Sequence, residues 1–212
     1  MGAKTKIDWA DSSWNPVTGC YHDCPYCYAR GMATRFGTHL TEWKCRNIHE
    51  LDKPARKKAM PGKIGAIAPY LHDFEPTLHR YKLGEVQKWK QPRTIFVCSM
   101  ADLFGEWVPL AWIQEVFEAC RRAPQHRYLF LTKAPERYYS LAQCGQLPTE
   151  DNFWFGSSTP TPDTPYFYSD RVNTFVSIEP LHKSFHYLGA AEPKKLPRWI
   201  IIGAETGNRK GK

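Results

Sequence analysis

The feature that most limits what this chain can fold into is a series of short apolar runs separated by helical patterns. Thr94-Ile-Phe-Val-Cys98, Tyr128-Leu-Phe-Leu-Thr132, Phe153-Trp-Phe-Gly156, Phe175-Val-Ser-Ile178 and Trp199-Ile-Ile-Ile202 are apolar nearly throughout. Such strands belong to parallel sheets covered on both faces, because a strand with one wet face alternates polar and apolar residues. After the first run, Leu110, Ile113, Val116 and Phe117 fall on one face of a helix over Leu110–Arg121. A second helix is expected near Pro135–Gln143 and a third near Tyr166–Val172, within a Pro-rich connection. Ile7-Asp8-Trp9 is the candidate first strand, which makes six. The class is therefore α/β. At 212 residues, 1–212 reads as a single domain. Residues 37–93 fit no βα unit and are expected to form an irregular or helical insertion, serving as a lid or substrate platform.

Ahead of the apolar runs, Cys20, Cys24 and Cys27 stand in Gly19-Cys-Tyr-His-Asp-Cys-Pro-Tyr-Cys-Tyr28. Three thiols in one short loop have little core to pack into, so the spacing points to a metal centre. A cubane iron–sulfur cluster takes four ligands, and three cysteines leave one iron open to bind something else. Zinc is the competing reading, with His22, His39 or Cys45 as fourth ligand. Disulfides fit poorly: seven cysteines is an odd number and no secretory signal precedes them.

The C-terminal ends of parallel strands are where chemistry gathers in α/β folds. Here those ends read Cys98-Ser99-Met-Ala-Asp102, Thr132-Lys133, Gly156-Ser157-Ser158, Ser177-Ile-Glu179-Pro180 and Gly203-Ala-Glu205. Five polar ends in succession indicate a lined pocket.

The cysteine loop, with Tyr26 just before its third cysteine, resembles that of the radical S-adenosylmethionine enzymes. Gly-Cys-x3-Cys-x-Tyr-Cys-Tyr is similar to the loop of the spore photoproduct lyases, and Ser99, Asp102, Lys133 and Ser157 follow the order of polar residues in that family, with a wider Ser-to-Asp gap. Nearly the whole chain also resembles a family of uncharacterised bacterial and phage proteins. The resemblance rests on Trp14-Asn-Pro-Val-Thr-Gly-Cys20, Ile95-Phe-Val-Cys-Ser-Met100, Leu129-Phe-Leu-Thr-Lys133 and Ser177-Ile-Glu-Pro180.

These resemblances imply a partial (β/α)6 barrel of the radical S-adenosylmethionine type, with the insertion after the cysteine loop. They imply a [4Fe-4S] cluster on Cys20, Cys24 and Cys27, and S-adenosylmethionine as cofactor. Asp102 or a nearby carbonyl would take its amino group, Lys133 its carboxylate, and Ser157 or Glu179 its ribose hydroxyls or carboxylate. Ser99 would stand beside them and Tyr26 would shape the adenine site. The implied reaction is reductive cleavage to a 5′-deoxyadenosyl radical, driven by an external donor such as flavodoxin or ferredoxin. Cys98, beside Ser99, is the candidate catalytic thiol that returns hydrogen to a product radical.

Charge bears on the substrate. The chain has 29 Lys+Arg against 21 Asp+Glu, and residues 42–93 alone hold 12 basic and 6 acidic side chains. Basic patches suit a polyanion, so DNA or RNA is the expected substrate, by modification or lesion repair. The alternatives are a radical enzyme acting on a peptide or small metabolite, and a non-catalytic zinc or iron–sulfur nucleic-acid binder. No apolar run reaches the ~20 residues of a membrane span, and a cytoplasmic location is expected.

Overall fold

The computed structural model describes residues 5, 7–37, 46–56, 65, 67–185 and 197–204. In chain order its elements are β1 (Ser12–Trp14), β2 (Val17–Thr18), α1 (Tyr28–Phe36), β3 (His49–Leu51), β4 (Thr77–His79), β5 (Thr94–Val97), α2 (Leu110–Arg121), β6 (Arg127–Thr132), α3 (Glu136–Gln143), β7 (Phe153–Ser158), β8 (Asn173–Ile178) and β9 (Trp199–Ile202). The main sheet has the order β1-β5-β6-β7-β8-β9, with every neighbouring pair parallel. A small second sheet, β2-β4-β3, lies in the chain between β1 and β5.

The expected partial (β/α)6 barrel is not what forms. A barrel of that kind follows each strand with a helix, whereas three α-helices occur among the described residues: α2 and α3 join neighbouring strands directly, and α1 lies in the long β1-to-β5 connection that also holds the second sheet. The connection from β7 to β8, residues 159–172, holds no helix. Pro160, Pro162 and Pro165 remove backbone donors there and bias the residues before them away from helical angles. The architecture is an open, parallel α/β sheet.

One face of that sheet carries α2 and α3. Ile95, Val97, Tyr128, Phe130, Phe153 and Phe155 meet Trp112, Ile113, Val116, Phe117, Tyr138 and Leu141 in one core. Phe130 stacks on Phe153 and Phe155 at 5.8 and 5.6 Å. Burying each such side chain stabilises the fold by about 1.5–3 kcal/mol. The opposite face is floored by Leu129, Phe175 and Ile201, with Trp154 and Trp199 against them. Ile7-Asp8-Trp9 is not a strand: residues 8 and 9 form a turn, and Trp9 lies on the floor, 4.7 Å from Phe96.

The segment 37–93, expected as an insertion or lid, contributes β3 and β4, and its Leu78 and Val86 are fully buried in the main core. His39 and Cys45, named as possible zinc ligands, and Glu205 lie outside the described residues. No described helix is long and apolar enough to cross a membrane.

Candidate functional site

The cysteine loop sits over the C-terminal end of β5. Gly19 N–H donates to the Met100 carbonyl at 2.9 Å and Cys20 N–H to the Phe74 carbonyl at 3.1 Å. Gly19 has φ +87°, and a Cβ there would stand 2.3 Å from the Glu75 carbonyl oxygen. Only glycine fits that approach.

The loop runs directly into α1, and Cys27 is the helix N-cap, its sulfur accepting from Arg30 N–H. The positive end of the helix therefore points at a thiol. His22 N–H points at the Cys20 sulfur, 3.5 Å away. Burial pushes the Cys20 thiol up to about 12. It also raises Cys24, where the nearby Lys133 charge opposes it. Thiols this reluctant to ionise become thiolates when a bound cation replaces the proton.

Three half-buried sulfurs from one loop, two backbone donors aimed at sulfur and a helix N-terminus make a set that could hold a metal cluster. All three cysteines are free thiols.

Asp102 is the anchor of the loop rather than a ligand-facing acid. It is 5 % exposed. One carboxylate oxygen accepts from Phe104 N–H and the Thr132 hydroxyl, at 3.0 and 2.7 Å. The other meets Lys133 N–H at 2.9 Å and His22 Nε2 at 2.7 Å. Its hydrogen-bonding capacity is thus taken up in joining β5, β6 and the loop.

Lys133 does face the loop. Its ammonium donates to the Ser158 hydroxyl at 3.0 Å and the Tyr26 hydroxyl at 3.3 Å, and lies 5.2 Å from the Tyr26 ring centre. Strand alternation explains why Ser158 and not Ser157 joins it. Thr132 pairs in register with Ser157, so the next residues, Lys133 and Ser158, share the opposite face. Ser157 is fully buried and accepts from Phe167 N–H at 2.9 Å. Ser177 and Glu179 line the same face as Ser158, and Ser177 donates to Glu179 at 3.0 Å. Trp9 Nε1 also donates to Glu179, at 3.3 Å. The Glu179–Pro180 peptide is cis. Just beyond it, His182 comes within 5.2 Å of Tyr26, ring to ring.

Ser99 donates to the Asn15 side-chain carbonyl at 3.2 Å, and its own carbonyl accepts from Tyr28 at 2.6 Å. It braces the loop against β5. Cys98 is turned away from the mouth. Alternation from the core-facing Val97 would aim residue 98 inward, but Cys98 has φ +58° and its side chain lies in the α2-side core, 2 % exposed. Burial pushes this thiol up to about 12. The site that results is an aromatic floor with a polar rim of Lys133, Ser158, Ser177 and Glu179. Tyr26, His182 and the three cysteines stand at one side. Sequence reading put Ser157 here, and Ser158 takes its place because the register between β6 and β7 sets which serine shares the face of Lys133; His182 carried no local signal.

The chain belongs to the family described as Protein of unknown function (DUF5131), whose model matches residues 4–212. It is also similar to Uncharacterized protein ORF301 of Acidianus two-tailed virus, at 28 % identity over 166 residues, 64 % of this chain and 54 % of the relative. The match thus spans about half the length of that viral protein. No solved structure matches the chain.

Proposed function

We propose that this protein is a radical S-adenosylmethionine enzyme. Cys20, Cys24 and Cys27 hold a [4Fe-4S] cluster, and S-adenosylmethionine occupies the rim beside them. The observation that carries this reading is the juxtaposition of the three-thiol loop with Lys133 and Tyr26 at the C-terminal end of a parallel sheet. When bound there, a [4Fe-4S] cluster on Cys20, Cys24 and Cys27 would supply the one-electron chemistry that cleaves S-adenosylmethionine reductively, with an external donor such as flavodoxin or ferredoxin as the source of the electron.

The chain's own residues bind, orient and exclude water. Lys133 offers a cation to the cofactor carboxylate, already steered by Ser158 and Tyr26. Glu179, fixed by Trp9 and Ser177, offers an acceptor for the ammonium or ribose hydroxyls. The Tyr26 and His182 rings flank the place of an adenine. The aromatic floor closes the site to bulk water from below. With Cys98 buried in the core, hydrogen return to a product radical falls to the cofactor or to another residue.

Nucleic acid is the proposed substrate, on the strength of a net charge of +8. A cytoplasmic setting, where thiols stay reduced, suits the three free cysteines.

The test is anaerobic reconstitution followed by dithionite reduction. A [4Fe-4S] electron paramagnetic resonance signal that changes with S-adenosylmethionine, with 5′-deoxyadenosine formed and both lost in Cys24→Ala, supports the reading. Zinc bound in place of iron, with no deoxyadenosine, overturns it.

A further inference from the structure

Directly behind the cysteine loop lies a second group of ligating side chains that the proposed chemistry does not use. His49 opens β3, and His72 and Glu75 lie on the 69–75 turn leading to β4. Their ligating atoms all fall within 4.8 Å of one another. His49 Nε2 meets Glu75 Oε2 at 2.5 Å, and the two imidazoles stack at 3.6 Å with planes 5° apart.

Two features separate this group from an ordinary surface cluster. The Glu75 side chain is only 7 % exposed, so its carboxylate depends on nearby donors or a cation for solvation. Second, the His72 ring nitrogens have no hydrogen-bond partner among the described residues. Two imidazoles and a carboxylate are the ligand set of three-ligand zinc sites, with solvent in the fourth position.

We infer that His49, His72 and Glu75 bind one divalent transition ion of the zinc type. Rotation of the half-exposed His72 ring opens the parallel stack and brings both imidazole lone pairs toward one point. The two histidines and Glu75 then share the ion, with water completing the tetrahedron. The ion clips β3 to the 69–75 turn. That turn carries the Phe74 and Glu75 carbonyls against which Cys20 and Gly19 are seated, so the site braces the cysteine loop from behind. The inference does not rest on the radical reading of that loop.

The experiment is a zinc titration of the full chain, cluster-reconstituted, by calorimetry, with zinc-edge X-ray absorption on the loaded protein. The expected result is one Zn²⁺ per chain in a shell of nitrogen and oxygen at about 2.0–2.2 Å. His72→Ala and the near-isosteric Glu75→Gln are expected to lower affinity by about a hundredfold or more, since losing even an outer partner of a metal ligand costs 10–100-fold. A shell containing sulfur at about 2.3 Å would move the zinc to the cysteine loop and overturn the assignment. So would the absence of zinc binding, or binding indifferent to Glu75→Gln. The absorption spectrum of the unmutated protein decides the matter even where a variant fails to fold.

Discussion

Asp102 Oδ2 and His22 Nε2 stand 2.7 Å apart, and through this contact the loop of three cysteines is tied to the end of β5 by a residue that also holds β6. Asp102 serves four donors from three parts of the chain. Asp102→Ala leaves two backbone N–H groups, the Thr132 hydroxyl and His22 without their acceptor. Losing one side of such a buried network is expected to cost about 3–5 kcal/mol. Asp102→Asn keeps one acceptor oxygen and costs less. Urea unfolding of both variants checks this, and a loss below about 1 kcal/mol for Asp102→Ala would show that the loop is held by something else.

Lys133→Ala separates binding from stability. The tie between β6 and Asp102 runs through the Lys133 backbone N–H, which alanine retains, so the fold is expected to survive. What is lost is the ammonium beside Tyr26 and Ser158. A charge-assisted hydrogen bond contributes about 1.5–3 kcal/mol, so S-adenosylmethionine affinity should fall roughly 10- to 150-fold. Equilibrium dialysis with the reconstituted protein measures this; unchanged affinity would leave Lys133 as a packing partner of Tyr26.

Thiol labelling distinguishes Cys98 from a working nucleophile. Its thiol, pushed up to about 12 by burial, is about one part in ten thousand thiolate at pH 8. Cys144 is exposed. Iodoacetamide on the folded protein is therefore expected to modify Cys144 and to spare Cys98 until denaturant is added. Mass spectrometry of the peptides reads the order; early labelling of Cys98 would place its sulfur at an accessible site.

His79 gives the fold a pH dependence of known sign. It is 1 % exposed, and its ring meets the Thr18 hydroxyl at 2.8 Å. Burial, then the Lys82 charge, lowers its pKa from 6.5 to about 3. The unfolded chain thus binds a proton below pH 6.5 that the folded chain refuses until about pH 3. Stability from this group is complete above 6.5 and drains away as pH falls between those values, by about 1.5 kcal/mol from pH 6.5 to 5. Unfolding midpoints of the parent and His79→Gln across that interval are the check: the substitution should flatten the slope.

Five of the six strands of the main sheet were legible because both-face burial leaves continuous apolar runs: Trp199–Ile202 matches to the residue, and β5 through β8 within two at either end, whereas the three-residue β1, Ser12–Trp14, lies beyond the expected Ile7–Trp9 and carries too short a run to show. Helix α2 was legible from its single apolar stripe. Helix α1 was not, since only Ala29 and Ala33 of Tyr28–Phe36 are buried and its N-cap is a cysteine. The short β2, β3 and β4 carry two or three residues each, too few for a period to show. At the site, residue types were legible but their directions were not. Whether Ser157 or Ser158 faces Lys133 depends on register, and whether Cys98 faces the mouth depends on one left-handed dihedral angle that composition does not announce. Asp102 looked available because three of its four partners, His22, Thr132 and Lys133, come from residues distant in the chain.

Cys27 is both the last thiol of the loop and the cap of α1, and so the two cannot open separately. Whatever fixes its sulfur also fixes the first turn of the helix, and whatever drags the sulfur away strips Arg30 N–H of its acceptor and lets that turn fray. Loop and helix form one unit of local unfolding. The exchange rate of amide hydrogens in the first turn of α1 is then a gauge of how firmly the loop is held.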